Sequence, residues 1–299
     1  MNFDLGSGEL ALRDAIRELC SREFPVRRGF DRAGWKQLAD AGVFSLRLTD
    51  GAGLGMTEAV IVFEELGRAL VAGPLVATHL AAGILEGASS GERVVTILDG
   101  DLAAYPDDAD VLLVLGPEHA YAIEQFDAEP RAPLDPFTPV GRIGPGVAGS
   151  RIDADPVQLQ GLGAALTAAL SSGIASRAVE LAVDYAKQRV QFDKPIGSFQ
   201  AVKHMCADMF VRAEVARAAV DAAGVSLDEH DPDVAQAVTG AKLLASEAAI
   251  ANSKSCIQVF GGMGFTWEVD AHLYLKRAAV LATQFGGVDH QAELAASRL

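Results

Sequence analysis

Arg189-Val-Gln-Phe-Asp-Lys-Pro-Ile-Gly-Ser-Phe-Gln200 and, further along, Gln258-Val-Phe-Gly-Gly-Met-Gly-Phe265 are the two stretches around which the chain organises. Each has a plain reading. Pro195 and Gly197 stop a helix, and a basic residue such as Arg189 is favourable near a helix C-terminus. Phe260-Gly-Gly-Met-Gly264 reads as a helix cap. Each also has a chemical reading. Arg189 suits a phosphate, through charge-assisted hydrogen bonds, and Phe192 suits packing on a ring, while Gln200 offers amide hydrogen bonds. The glycines would admit a pyrophosphate close to the backbone, where any side chain would block it.

The segments around these motifs are helical. Ile174, Ala178, Leu181, Ala182 and Tyr185 form an apolar side, and Arg177, Glu180, Asp184, Lys187 and Gln188 a polar stripe at steps of three and four. The pattern predicts helix from Gly161, then two more long helices over 201–225 and 233–260. Together they imply a bundle. Residues 8–90 are also helical in pattern. Leu10, Leu12, Ile16 and Leu19 keep helical spacing, a short helix over 35–42 ends at Gly42, and a long one runs from Thr57 to the Gly73-Pro74 break. Between them Val94–Leu98, Val111–Leu115 and Ala120–Glu124 read as strands, and five prolines from Pro130 to Pro145 exclude long helices there. The expected division is a helical domain over 1–90, a small β-rich insert over 91–154 and a four-helix bundle over 155–299. The fold class is mainly α.

A chain of 299 residues that is half apolar can bury a large core. Its formal charge of −15 argues against nucleic acid or an anionic membrane as partner, since either needs a broad basic surface. Cys20, Cys206 and Cys256 have no metal spacing and are odd in number, so neither a disulfide framework nor a zinc site is expected. The opening residues show no basic region followed by an apolar core, and no uncharged apolar run reaches membrane length. A reduced cytoplasm is the expected compartment.

The order Arg-x-x-Phe-x-x-Pro-Ile-x-x-Phe-Gln, a long helical stretch, then Gln-x-Phe-Gly-Gly-x-Gly-Phe resembles the C-terminal bundle of the acyl-CoA dehydrogenases. Leu273, Tyr274, Lys276 and Arg277 continue the likeness. So do Trp35-Lys-Gln-Leu-Ala-Asp-Ala-Gly42 and Glu64-Glu-Leu-Gly-Arg-Ala-Leu70 near the start. In that family a carboxylate takes the pro-α proton of an acyl-CoA thioester while the β-hydride goes to flavin N5. The FAD is shared across a subunit interface. The resemblance therefore implies that Arg189, Phe192, Gln200, Gln258, Gly261, Gly262 and Gly264 serve an FAD shared with a partner.

The same resemblance marks what is missing. Counted without gaps from the glycine motif, the commonest position of the catalytic glutamate falls at Phe285. The alternative position, on the helix before the arginine block, falls near Gly163. Neither residue can accept a proton. The middle insert is also short and lacks the Thr-Glu-Pro…Gly-Ser-Asp type of segment that contacts flavin and substrate. The expected function is a subunit of a heteromeric FAD-dependent acyl-CoA dehydrogenase, in an α2β2 heterotetramer with a homologous base-bearing partner that binds most of the acyl-CoA. A bulky or steroid side-chain thioester is the expected substrate class. The rival readings are an active homo-oligomer with a base relocated to Asp153 or Asp155, and a non-catalytic scaffold. Glu64, Glu65, Asp153, Asp155, Glu268 and Asp289 are expected as solvated or paired surface groups. No catalytic residue and no metal ligand is assigned to this chain.

Overall fold

The computed structural model describes residues 5–146 and 148–297; Met1–Asp4, part of the stretch read for a signal peptide, lie outside the described residues. Four helices come first: α1 (Ser7–Glu23), α2 (Arg32–Asp40), α3 (Met56–Arg68) and α4 (Leu75–Ala81). α2 opens on Asp31, whose side chain accepts from the Gly34 amide, and is left behind through Gly42 at φ 82°. That left-handed conformation costs glycine little. α3 ends at Arg68, short of the predicted Gly73-Pro74 break. Leu70 turns the chain at φ 52°, and the buried Arg277 guanidinium donates to the carbonyls of Leu70 and Val71. The short α4 was not evident in the sequence pattern.

Among the described residues seven short strands then form one sheet. They are β1 (Val95–Asp99), β2 (Leu102–Ala104), β3 (Val111–Leu115), β4 (Ala120–Ile123), β5 (Ala128–Arg131), β6 (Val140–Ile143) and β7 (Ser150–Ile152), in the order β5-β6-β2-β1-β3-β4-β7. Only the β1–β3 pair is parallel. Three of the strands match apolar runs in the sequence. The other four are three or four residues long, and Pro130 sits in an edge strand, where a missing amide is tolerated.

The bundle is built from α5 (Pro156–Gln188), α6 (Gln200–Asp228) and α7 (Val234–Phe260), closed by the shorter α8 (Ala271–Leu281) and followed by α9 (Val288–Ala296). α5 begins five residues earlier than predicted. Asp155 accepts from the Val157 amide at 2.9 Å, and Pro156 occupies the first turn, where its missing N–H costs nothing. α5 is long and apolar enough to cross a membrane, but 89% of its apolar window is buried inside the protein, as befits a core helix.

Glycines let α3 and α5 cross in backbone contact. A Cβ on Gly67 would come within 2.1 Å of the Leu170 carbonyl oxygen, and one on Gly173 within 1.9 Å of that of Glu64. The end of α6 is tied back to the start of α3. The Asp228 carboxylate accepts from the Met56 amide at 2.6 Å, the Thr57 amide at 2.8 Å and the Thr57 hydroxyl at 2.7 Å. The N-terminal helices and the bundle therefore share one core, and the sheet packs beside it through α4 and β3.

Candidate functional site

The two motifs meet at one end of the bundle. Tyr185, in the last turn of α5, stacks on Phe260 at the end of α7 with ring centroids 4.1 Å apart, and its hydroxyl reaches the Met263 sulfur at 3.8 Å. The arginine segment is more ordered than the helix end and loop of its plain reading. Val190–Gln191 (β8) pairs with Lys194–Pro195 (β9) in a tight hairpin, and a 3₁₀ turn over Ile196–Ser198 leads into α6.

The hairpin turn is Phe192-Asp193, with φ of 53° and 61°. Such two-residue turns favour asparagine and glycine, because positive φ crowds a Cβ. A bulky aromatic held in that conformation and 85% exposed gains little from its own chain, apart from an edge contact to Phe199 at 6.1 Å. Strain of this kind is a pointer to function. Arg189, at the C-cap of α5, is exposed, as are Gln200 and Gln258.

The glycines divide by role. Gly261 has φ 65° and ψ −141°, a conformation suited to glycine, and nothing lies within 4 Å of a Cβ built on it. Gly262 also faces open space. Gly264 is buried, and a Cβ there would meet the Ile257 carbonyl oxygen at 2.6 Å, so packing alone requires glycine at that position. Arg189, Phe192, Gln200, Gln258, Gly261 and Gly262 thus lie on an outward-facing edge. Apolar side chains continue nearby at Val190, Phe265 and Trp267 and along α6 at Phe210, Val211 and Val215, all exposed.

The interior supplies the complementary observation. Phe285 is 4% exposed, and its ring lies on Gly163: a Cβ at 163 would come within 2.1 Å of the ring's Cδ1. The two positions at which the resemblance places a base are therefore in contact with each other, joined by an aromatic ring. Sequence reasoning named both positions but not their contact, which spans more than a hundred residues. The available signal was a pair of glycines, Gly161 and Gly163, inside an otherwise alanine- and leucine-rich stretch.

Two cavities flank this contact. The smaller, about 280 Å³, is lined by Phe285, Gln284, Leu70, Pro74, Thr96 and Leu170, and by Arg277, which forms a buried ion pair with Asp135. The larger, about 750 Å³, is lined by Gly161, Leu162, Ala164, Arg47, His290 and Gln291. Burial lowers the Arg47 guanidinium below its ordinary range, with Asp228 opposing.

Of the acids weighed in the sequence, Glu65 departs from the expected surface position. It is 3% exposed and takes two hydrogen bonds from Arg17, at 2.8 and 2.6 Å. Glu64 is half-buried, and burial together with Asp221 holds it above the usual carboxylate range. Asp155 is engaged as the cap of α5, while Asp153, Glu268 and Asp289 are exposed. His204 lies exposed on α6. Among the described residues no group of histidine, cysteine and acidic side chains could hold a metal.

Lys242 was missed in the sequence, although it stands alone in the run Ala241-Lys-Leu-Leu-Ala245. It is fully buried on α7 and donates to the Leu281 carbonyl at 2.7 Å, at the end of α8, where positive charge is favourable. Burial pushes the amine down to about 7, with Asp99 opposing. An unfolded lysine titrates near ~10.4. Between these values the unfolded chain binds more protons, so stability rises with pH across that window, by up to ~1.4 kcal/mol per pH unit. The wild type should therefore gain on Lys242→Met, in Tm, as pH climbs from 7 towards 10. A pH-independent difference in thermal unfolding would show that the buried amine stays charged.

Comparison with known proteins places the chain. Residues 7–92 match the acyl-CoA dehydrogenase N-terminal domain and residues 160–299 the C-terminal domain. The acyl-CoA dehydrogenase IpdE2 of Mycobacterium tuberculosis is 38% identical over 267 residues, covering 84% of this chain and 81% of that protein. Among solved structures, a variant of the Tcur3481-Tcur3483 steroid ACAD superposes with a TM-score of 0.86 at 21% identity, covering 98% of each chain. The ChsE4-ChsE5 complex from Mycobacterium tuberculosis superposes with a TM-score of 0.82 at 23% identity, covering 100% of this chain and 98% of that one. The chain belongs to the acyl-CoA dehydrogenase family, a family of flavoprotein oxidoreductases.

Proposed function

We propose that this chain is the base-lacking subunit of a heteromeric, cytoplasmic, FAD-dependent acyl-CoA dehydrogenase. A homologous partner carries the catalytic glutamate and most of the thioester pocket, in an α2β2 assembly. The observation that carries the reading is the Phe285–Gly163 contact. Each position that would hold a general base is given over to apolar packing, while the edge bearing Arg189 and Gly261-Gly262 stays open. A chain that had lost every functional demand would have no reason to hold Phe192 outward in a strained turn.

The residues present fit FAD on that edge. Gly261 and Gly262 leave room at the backbone that a Cβ would fill, and Arg189 is an exposed cation at the end of α5, the helix whose Tyr185 stacks on Phe260. Bound FAD would supply the hydride acceptor for α,β-desaturation. Arg189 would hold phosphate charge, Phe192 would cover an apolar face of the cofactor, and Gln200 and Gln258 would offer amide hydrogen bonds. Gly264 keeps the loop seated on Ile257. This division of labour goes with three parts: helices over 1–90, an insert over 91–154 too small to enclose a flavin ring by itself, and the bundle over 155–299.

Two of the similar structures are described as assemblies or paired gene products, one of them a steroid ACAD. A bulky, steroid-type CoA thioester is the substrate class we assign to the complex. The exposed apolar side chains on α6 and on the hairpin support a protein partner, because such patches are costly on a free surface. Expressed alone, the chain should be poorly soluble or carry little FAD. Co-expressed with a glutamate-bearing homologue, it should give a yellow, soluble complex. A stable homo-oligomer that is flavin-loaded and active would overturn the proposal.

A further inference from the structure

Arg47 is set apart from the other arginines of this chain. Among the described residues, every other arginine that is not exposed makes an ion pair or a hydrogen bond, as Arg28, Arg68, Arg177 and Arg277 do. Arg47 is half-buried and makes neither. Asp228 attracts it without ion-pair contact, and that carboxylate is already engaged by the start of α3. Arg47 lines the larger cavity, whose volume of about 750 Å³ falls within the ~300–1,000 Å³ of small-molecule sites. The rest of the wall is mainly apolar, through Met56, Leu115, Leu162, Leu227, Val238 and Leu294. Several of its polar groups are engaged: Asp231 accepts from the Asp233 amide at 2.8 Å, and the Gln291 side chain donates to the Phe285 carbonyl at 3.1 Å. Gly161, inside α5, lies on the same wall. Glycine inside a helix weakens it relative to alanine. At Gly67, Gly163 and Gly173 packing requires it, because a Cβ would collide with the neighbouring segment. At Gly161 nothing lies within 4 Å of a Cβ, so the residue keeps cavity space open with no packing demand behind it.

We propose that this cavity is a binding site for a single carboxylate carried on a bulky apolar body, with Arg47 holding the carboxylate. A guanidinium meets a carboxylate through two parallel N–H···O bonds, and a half-buried, unpaired one has the most to gain from them. The apolar wall takes the body, and the space in front of Gly161 admits its width. A free acid suits the charge of the site better than a CoA thioester. The thioester brings several phosphate charges to one unpaired arginine, past Asp228 and Asp231 in the wall of a chain whose net charge is −15. Gly161 and Arg189 stand near opposite ends of α5, so this site is separate from the edge assigned to FAD and does not depend on the desaturase reading.

The test is calorimetry with lithocholate, and with the alcohol that matches it, on the purified complex of this chain with its co-expressed partner. Only this chain is altered, so sites that change belong to it. Arg47→Met should weaken lithocholate at one site per copy of the chain by roughly ten- to hundred-fold, the usual loss when a charged partner is removed. The alcohol should bind wild type and Arg47→Met alike. Gly161→Leu should fill the cavity and remove both ligands from that site, while Tm holds or rises, since leucine is the better helix former. Lithocholate sites that keep wild-type affinity in both variants would overturn the proposal, as would a wild type that binds no lithocholate. An equal loss of acid and alcohol in Arg47→Met would show that Arg47 does not hold the carboxylate. Displacement of lithocholate from the Arg47-dependent site by a cholanyl-CoA thioether would give the cavity to the thioester and overturn the free-acid assignment.

Discussion

Replacing the partner's glutamate with glutamine should cost the complex roughly 10²–10⁴-fold in turnover, the usual worth of a positioned general base. Asparagine at Asp153, Asp155 or Asp289 of this chain, one at a time, should leave turnover within a small factor of wild type. The structure supplies the reason for each. Asp153 and Asp289 are exposed, the latter in the first turn of α9, where a carboxylate is favourable on electrostatic grounds alone. Asp155 accepts from the Val157 amide as the cap of α5, and asparagine caps about as well as aspartate. Flavin content has to be measured alongside, so that loss of cofactor is not read as loss of proton abstraction. A large drop from any of the three substitutions, with FAD still bound, would move the base back into this chain.

The bundle was readable because its helices are long and their polar residues recur at helical steps, as in Arg177, Glu180, Asp184 and Lys187. Ends were harder. α5 starts at Pro156 with one side-chain cap, and beyond the end of α3 at Arg68 the freed carbonyls of Leu70 and Val71 accept from Arg277, far along the chain. The four missed strands are too short for alternation to show. The chemistry followed the same divide. Arg189, Phe192 and the glycines sit in local motifs, so they were visible as candidates. The hairpin that turns Phe192 outward was not, since Phe192-Asp193 is poor turn sequence and is held by the pairing of its flanks. Phe285 on Gly163, and Lys242 under the end of α8, depend on contacts between distant segments. Local pattern can mark such positions, as a pair of glycines or a lone lysine in an apolar run, but not the partner each will meet.

Gly262→Val should abolish FAD retention by the complex while leaving the fold intact, and few substitutions in this chain can separate the two so cleanly. Nothing lies within 4 Å of a Cβ built on Gly262, and its backbone, unlike that of Gly261, is not in the left-handed region. A branched side chain there should therefore fold without strain and meet only what another molecule brings to the loop. Gly264→Val makes the contrasting control. Its side chain would strike the Ile257 carbonyl from 2.6 Å, so the loss should appear as lower thermal stability of the chain, with or without cofactor. Arg189→Ala should fall between these extremes. Removal of a charged partner of a phosphate typically costs ~1.5–3 kcal/mol, so FAD affinity should drop by roughly one to two powers of ten, and activity should return when FAD is supplied in excess. Absorbance of the purified complex in the flavin band, read beside its Tm, decides among these outcomes. If Gly262→Val retained FAD at the wild-type level, the open edge at the end of the bundle would not be where this chain meets the cofactor. The assignments of Arg189, Phe192, Gln200 and Gln258 would then fall with it.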